Sequence, residues 1–580
     1  MNIKWAFSLF CNKMSFILHQ SIYNMKLIII KKEERKIMQK LVTVLISFIM
    51  VLPVSSIAVF GDMHPRSMME RSSSGDILAV MCSDPYPTLG EPVTLVLTVE
   101  GKAAQRFNET VTVTDEFNGL AAVNNDMVWV SGNVTVSQIS MTIGRLPTYT
   151  KSIAWYPSVV GNHRFHIQTG PSSEQDYNVS VSFDVQGIIA PSFGCPSIIR
   201  KDPIQDFSVT IAENRNTTDE PAQLLRVELM AIDGSVQYAV ENQTMIWSTQ
   251  STTGIHTVQD ELIAHYSIAS VPNGFYNLSV TTTKTTYTWP HAVKIMGSDP
   301  TNYSIVQFTD IHIGKYVSFA DKKKELTRLI TYANQNIHPD FFIVSGDSVD
   351  WYNVKCHRNV FLDLREALLT STVPVFFVPG NHERYGNPVV LLYYPFTNLT
   401  SYHRFLNPLN DYSFHYGGMN FVFLDSGYDY SRWEIQPQIW NTTPEGSGLS
   451  NTQMYLLNNI WGDSELHQII TMHHPAVYNK NDSGPGVVPN NLSSGNDQCI
   501  AFNRAAFISY CILHNVTLAL AGHTHESHVF TASGKETSNS SAWPLFVQTR
   551  SSTLSGKEDG GRVIEIVHGV VERYDYAVFP

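Results

Sequence analysis

Apolar and polar positions alternate through the region from about residue 77 to 185. Val93, Leu95, Leu97 and Val99 form one side of such a run, with Thr94 and Thr98 on the other. A period of two sends successive side chains to opposite faces of a strand. The texture returns at 111–113, 127–130, 163–167 and 179–185, broken by Gly, Pro, Asn and Asp. Regular short strands without a long amphipathic helix predict an all-β, immunoglobulin-like sandwich. Pro191-Ser192-Phe193-Gly194 reads as a linker. A second β-rich stretch follows from about 207 to 296, and we take the two as separate small sandwiches.

After Gly297-Ser298-Asp299-Pro300 the pattern changes to strands alternating with helices, as in an α/β domain. A strand is expected over 305–308. Asp321 then caps a helix that gathers Leu326, Leu329, Ile330 and Ala333 on one face. Further strands are expected over 341–344, 375–378, 468–472, 516–520 and 545–548, with helices around 360–369 and 502–513. Tyr412-Phe414-Tyr416 and Phe421-Phe423 flank Gly417-Gly418 as a hairpin, and Ser450 starts a helix with Met454, Leu457 and Trp461 inward. Segments 563–567 and 570–576 close the sheet.

At 580 residues the chain exceeds one ordinary domain. We divide it into a leader at 1–61, a β-sandwich at 62–190, a second β-rich domain at 191–298 and an α/β domain at 299–580. Apolar content of 43% and charged content of 16% fit a globular protein with a substantial core. A net charge of −12 and the lack of a basic stripe argue against a nucleic-acid polymer as partner.

Met38-Gln39-Lys40, the apolar run 41–52, and then Pro53, Ser55, Ser56 and Ala58 follow the order of a secretory signal peptide. Met38 then reads as the initiator. An uncleaved membrane anchor over 41–60 is the alternative. Both place the protein outside the cell, secreted or at its surface. Asn-x-Ser/Thr triplets are frequent, Asn133 and Asn178 among them, and fit a glycoprotein, though an Asn-, Ser- and Thr-rich chain also generates them by chance. Cys82, Cys195, Cys356, Cys499 and Cys511 are too sparse for a disulfide framework and lack Cys-x-x-Cys spacing.

Five short blocks end the apolar runs of the carboxy-terminal half. They are Asp310-Ile311-His312, Gly346-Asp347, Gly380-Asn381-His382-Glu383, His473-His474-Pro475 and Gly522-His523-Thr524-His525. Strand ends are where an open α/β sheet places its site. Residues two apart at a strand end point the same way, which suits Asp310 with His312 and His523 with His525. Carboxylate, carboxamide and imidazole donors together suit two divalent or trivalent metal ions rather than one structural zinc. Alone, Asp310-x-His312 reads as a capping pair, and Gly346-Asp347 and Gly380-Asn381 as turns. Their ordered succession outweighs those readings.

Together the blocks resemble the calcineurin-like metallophosphoesterase superfamily over roughly residues 303–568. Purple acid phosphatases, acid sphingomyelinases and cyclic-nucleotide phosphodiesterases are among its members. The resemblance implies a four-layer α/β/β/α sandwich behind the β-domains. It implies Asp347 as the carboxylate bridging both metals, with Asp310, His312 and His525 on the first and Asn381, His473 and His523 on the second. A carboxylate suits the bridge because it offers two oxygens and offsets repulsion between ions about 3.5–4 Å apart. Iron, manganese and zinc all accept these donors.

The implied activity is that of a metal-dependent phosphoric ester hydrolase. A metal-activated hydroxide attacks phosphorus, and His382 protonates the leaving group as general acid. Bound cations would offset the acidic surface, so an anionic substrate is compatible with it. The partner is a small-molecule or lipid phosphate ester, and a membrane only if the leader is uncleaved. Alternatives are a phosphodiesterase specific for a lipid or cyclic nucleotide, and a cell-surface binding protein with an inactive metallo-domain. Arg384 and Tyr385 are candidates to line the substrate pocket. His474, Glu383 and His528 read equally as direct participants or as supporting residues, Asp425 as a structural strand end, and Tyr393, Tyr394 and Trp433 as core rather than pocket wall. Purple acid phosphatases carry a tyrosine three residues after the bridging Asp; here Asp350 stands there, so a tyrosinate-bound iron is not expected. A saposin-type cysteine-rich domain is also not evident.

Overall fold

The computed structural model describes residues 77–580 apart from 92, 101–106, 125, 144–147, 170–172, 315–318, 351–356, 385–398, 428–445, 464, 478–498, 539–541 and 554–557. The leader, Tyr385, Tyr393, Tyr394 and Trp433 lie outside the described residues. Strand pairing sorts the amino-terminal part into two stacks of sheets. In the first, Ile77–Cys82, Val93–Glu100 and Thr148–Trp155 form a three-stranded antiparallel sheet. Opposite stands a long hairpin, β1 (Phe107–Val123) and β2 (Asp126–Ile143), extended by Val160–Thr169 and Ser173–Val181. Val93, Leu95, Leu97 and Val99 are buried between the sheets with Val111, Val113, Phe165 and Ile167, as the alternation requires.

The second stack sets a four-stranded sheet against a five-stranded one, and Gly187–Ala190 pairs with Phe207–Asn216 inside it. The segment expected as a linker is instead packed into the molecule. Phe193 is buried 5.9 Å from the ring of Phe377, and the Gly194 amide donates to the Leu406 carbonyl at 2.8 Å. Its turn-forming residues bond to the neighbouring α/β layer rather than to water.

From residue 302 the chain runs through β3 (Asn302–Phe308), α1 (Phe319–Asn336), β4 (Phe341–Ser345), α2 (His357–Leu368), β5 (Val375–Val378) and α3 (Thr400–Phe405). The hairpin β6 (Tyr412–Tyr416) and β7 (Met419–Phe423) comes next. Then follow α4 (Asn451–Leu456, continued by a π-helical turn Leu457–Trp461), β8 (His467–Thr471), α5 (Arg504–Leu513) and β9 (Val516–Ala521). The last strands are β10 (His528–Thr531), β11 (Leu545–Gln548), β12 (Gly560–Val567), β13 (Val570–Arg573) and β14 (Tyr576–Val578).

One sheet has the order β5-β4-β3-β12-β13, with β14 also on β12; the other runs β10-β11-β9-β8-β7-β6. Ile305, Phe341, Ile343 and Phe376 of the first meet Phe421, Phe423, Ile469 and Leu518 of the second. Helix α1 covers the outer face of the first sheet, with Leu326, Leu329, Ile330 and Ala333 buried against Val306, Phe342 and Val344. Met454, Leu457, Trp461 and Phe507 cover the outer face of the second, over Val422 and Ile470. These are the four layers, α/β/β/α. Parallel strands buried on both faces need apolar residues at every position, hence Phe341-Phe342-Ile343-Val344. Asp321 is not the cap of α1: the helix begins two residues earlier, so the carboxylate lies in the first turn, where the helix dipole still favours it. Ser450 does cap α4. Its Oγ accepts the Gln453 amide at 3.0 Å, and Gln453 Oε1 accepts the Ser450 amide at 2.7 Å.

The β1–β2 hairpin continues the second α/β sheet. Tyr412 of β6 pairs in parallel with Ala122 at the hairpin's end. Asn124 Oδ1 accepts the His415 amide at 3.1 Å, and Trp461 Nε1 donates to the Ala122 carbonyl at 2.9 Å. One apolar core runs from Leu95 and Phe165 through to Phe421 and Leu518. The hairpin thereby meets the edge strand β6 at Tyr412. Among the described residues no disulfide forms, and no helix is long and apolar enough to cross a bilayer.

Candidate metal centre

Every one of the five blocks lies just past the carboxyl end of a strand: β3, β4, β5, β8 and β9. Strand alternation is not what aims the side chains. Asp310, His312, Asp347, His523 and His525 all stand in the left-handed region, with φ of 51°, 52°, 52°, 68° and 56°. That conformation costs an ordinary L-residue about 1–2 kcal/mol and persists only where the surroundings enforce it. Here the β3 and β4 loops are zipped together. The Asp310 amide donates to the Gly346 carbonyl at 3.1 Å, and the His312 amide to the Asp347 carbonyl at 2.9 Å.

The expected donors converge. His525 Nε2 lies 3.1 Å from Asp310 Oδ1 and 3.1 Å from His312 Nε2. His312 Nε2 is 3.8 Å from Asp310 Oδ1 and 3.9 Å from Asp347 Oδ2. On the other side of Asp347, His473 Nε2 stands 3.2 Å from its Oδ1 and 3.0 Å from Asn381 Oδ1. Asp310, Asp347 and His473 bring ligand atoms within 4.8 Å of one another, as do His473, His474 and His523. Asp347 therefore stands between two clusters, with one oxygen toward each.

Electrostatics and packing both fit cations. Burial alone would raise the Asp347 carboxyl, yet the His382 and His473 imidazoles hold it well below the usual range. Burial opposes a charge on His473, but the adjacent Asp347 carboxylate pushes it up to about 10. The carboxylates thus require positive charge within the cluster, and metal ions would supply it while leaving the imidazole nitrogens as donors. Two imidazole Nε2 atoms facing each other at 3.1 Å are suited to a shared electron-pair acceptor. The block glycines lie directly beneath these groups. A Cβ on Gly522 would stand 2.6 Å from Asp310 Oδ2, and one on Gly346 2.5 Å from His473 Nδ1. A methyl at Gly380 would overlap Asp347 Oδ1. The backbone approaches the ligands that closely because no side chain intervenes.

The supporting residues sort differently from their sequence reading. Glu383 is buried and accepts the amides of Asp347 at 2.9 Å, Ser348 at 2.7 Å and Gly380 at 2.7 Å, which fastens the second block to the third. Burial, then the Asp347 charge, push its carboxyl pKa up despite those bonds. His474 is buried beside the cluster, its ring 4.4 Å from that of His523 and its Nδ1 3.0 Å from Ser426 Oγ. His528 lies outside it, bonded to Glu536 at 2.8 Å. The guanidinium of Arg384 is turned to Asp425. It is 2% exposed, and its Nη2 meets both oxygens of Asp425 at 2.5 Å, because a guanidinium taken into the interior must find a carboxylate. Asp350 was passed over in the sequence except for what it lacks. Its Oδ1 lies 3.7 Å from His382 Nδ1, and His382 Nε2 lies 3.7 Å from Asp347 Oδ2. The signal available was a second aspartate three residues after the first, with a histidine past the next strand.

Residues 303–527 match the family model of calcineurin-like phosphoesterases, a stretch that takes in all five blocks. Among solved structures the chain is similar to a dimetal phosphatase from Danio rerio. Identity is 16% over 49% of this chain and 100% of that one, with a TM-score of 0.34. It is also similar to a purple acid phosphatase from seeds of yellow lupin, Lupinus luteus. There the identity is 12% over 86% of this chain and 95% of that one, with a TM-score of 0.37. No curated protein matches the chain.

Proposed function

The chain carries a calcineurin-like phosphoesterase domain at residues 303–527, and we propose that it is a two-metal hydrolase of phosphate esters. The observation that carries the proposal is the convergence of Asp310, His312, Asp347, Asn381, His473, His523 and His525 about one shared carboxylate. Asp310, His312 and His525 would hold one ion, Asn381, His473 and His523 the other, and Asp347 both. Bound there, the ions supply Lewis acidity toward phosphoryl oxygens and a nucleophile at neutral pH.

The remaining chemistry belongs to the chain. His382 is 13% exposed, with Nε2 toward the cluster and Nδ1 toward Asp350. The buried Asp350 carboxylate faces the imidazole and orients the ring. In this reading His382 gives a proton from Nε2 to the departing ester oxygen. Hydrogen bonds of this kind are often long before substrate binds, so separations of 3.7 Å suit the role. His525 is the more exposed face of the cluster and marks the side from which an ester approaches. The proposal extends to export, on the composition of residues 38–58.

The test is hydrolysis of a panel of phosphate mono- and diesters by the purified full chain, with elemental analysis of the same sample. Turnover with about two ions per chain is expected. Asp347→Asn should remove both turnover and metal; full rate and metal in that variant would refute the assignment.

A further inference from the structure

We propose that Arg384 is a positioning residue for His382, and that the amino-terminal sandwich anchors it through the first turn of α4. The inference rests on the phosphoesterase reading and assigns part of the β-domains' work. His382 lies four residues past the end of β5. Its own amide donates to Asp347 Oδ1 at 2.9 Å, and Glu383 ties the loop to the β4 end. Arg384, two residues on, is fixed through Asp425.

Asp425 is itself held from several sides. Its amide donates to Asp411 Oδ1 at 2.8 Å, and its Oδ1 accepts the Gly427 amide at 2.8 Å. Gln453 Nε2 donates to both Asp411 Oδ1 and the Asp425 carbonyl, each at 2.8 Å. Gln453 is the reciprocal partner of the Ser450 cap, so α4 cannot shift without moving it. The next link leaves the α/β domain: Asn451 Nδ2 donates to the Thr135 carbonyl of β2 at 2.7 Å. A continuous series of bonds therefore runs from β2 through α4 and Asp425 to the residue two places after His382.

A buried ion pair is a weak stabiliser compared with apolar groups of the same volume. What Arg384 and Asp425 do supply is a fixed direction for the loop, since a guanidinium meets a carboxylate in a planar, orienting geometry.

The test uses the manganese-loaded full chain, 4-nitrophenyl and ethyl phosphate esters, and two variants. Arg384→Met with Asp425→Leu removes both charges together, so neither is left buried alone. Asn451→Ala cuts the link to β2. A nitrophenolate departs without a proton, whereas an ethoxide needs one. The double variant should lose at least about thirtyfold in kcat on ethyl esters and less than about threefold on nitrophenyl esters, because only the former depend on His382. Metal content should be unchanged, and amide exchange at 380–384 should quicken in the metal-free chain. Asn451→Ala should give the same signature more weakly, about three- to tenfold. Equal losses on both esters, or no loss on ethyl esters, would overturn the positioning role. No effect of Asn451→Ala would remove the sandwich from it. Wild-type protein that loads metal but hydrolyses neither ester would overturn the underlying reading instead.

Discussion

His382 Nδ1 faces the buried carboxylate of Asp350 at 3.7 Å. Asp350 follows the shared carboxylate Asp347 by three residues. The same strand end thus supplies a group for the metals and a group for the proton donor. A residue that looked in the sequence like a missing tyrosine is, in the fold, the partner of the candidate acid.

Asp350→Asn keeps the shape and removes the charge. We expect kcat on alkyl phosphate esters to fall about 10–100-fold, with nitrophenyl esters nearly unaffected, because the loss falls on proton donation alone. Metal content should stay at the wild-type level. The ratio of kcat on the two esters is the measurement.

A second prediction concerns the β-stack far from the metals. Glu261 is fully buried, with 0% exposure. Burial pushes its pKa up from 4.5 to about 8. A carboxyl raised on folding favours the folded state below its unfolded pKa, and that contribution is lost as pH rises through the folded value. Denaturation of wild type and Glu261→Gln should therefore diverge between pH 4.5 and 8. Wild type should weaken relative to the variant by up to about 1.4 kcal/mol per pH unit. Parallel pH profiles would contradict the burial argument.

Removing the sandwiches should cost the α/β domain its folding. A fragment of residues 298–580 would expose the β6 edge at Tyr412 and cut the apolar cluster that runs on into the sandwich. It should lack a cooperative thermal transition by circular dichroism, whereas the full chain should show one.

The sequence was most informative where period and chemistry coincide. The alternation of Val93, Leu95, Leu97 and Val99 and the helical spacing of Leu326, Leu329, Ile330 and Ala333 each mark a buried face, because local periodicity is imposed by local geometry. The five blocks stood out because carboxylate, carboxamide and imidazole donors recur at strand ends, and the fold brings those side chains together. Long-range pairing left no such trace. Nothing local to Ala122 or Tyr412 announces that they meet, and Pro191-Ser192-Phe193-Gly194 has the composition of a linker while being buried. Arg384 was a pocket candidate only from its place after His382; the ion pair that the fold gives it with Asp425 leaves no local trace either. The left-handed backbone at Asp310, His312, Asp347, His523 and His525 is a tertiary effect too, enforced by neighbouring loops.

The central claim is that these side chains hold two ions bridged by Asp347. Anomalous diffraction from crystals of the manganese-loaded chain tests it most directly. The account predicts two peaks about 3.5–4 Å apart, one on each side of the Asp347 carboxylate. A single peak, or none within reach of His473 and His525, would contradict it.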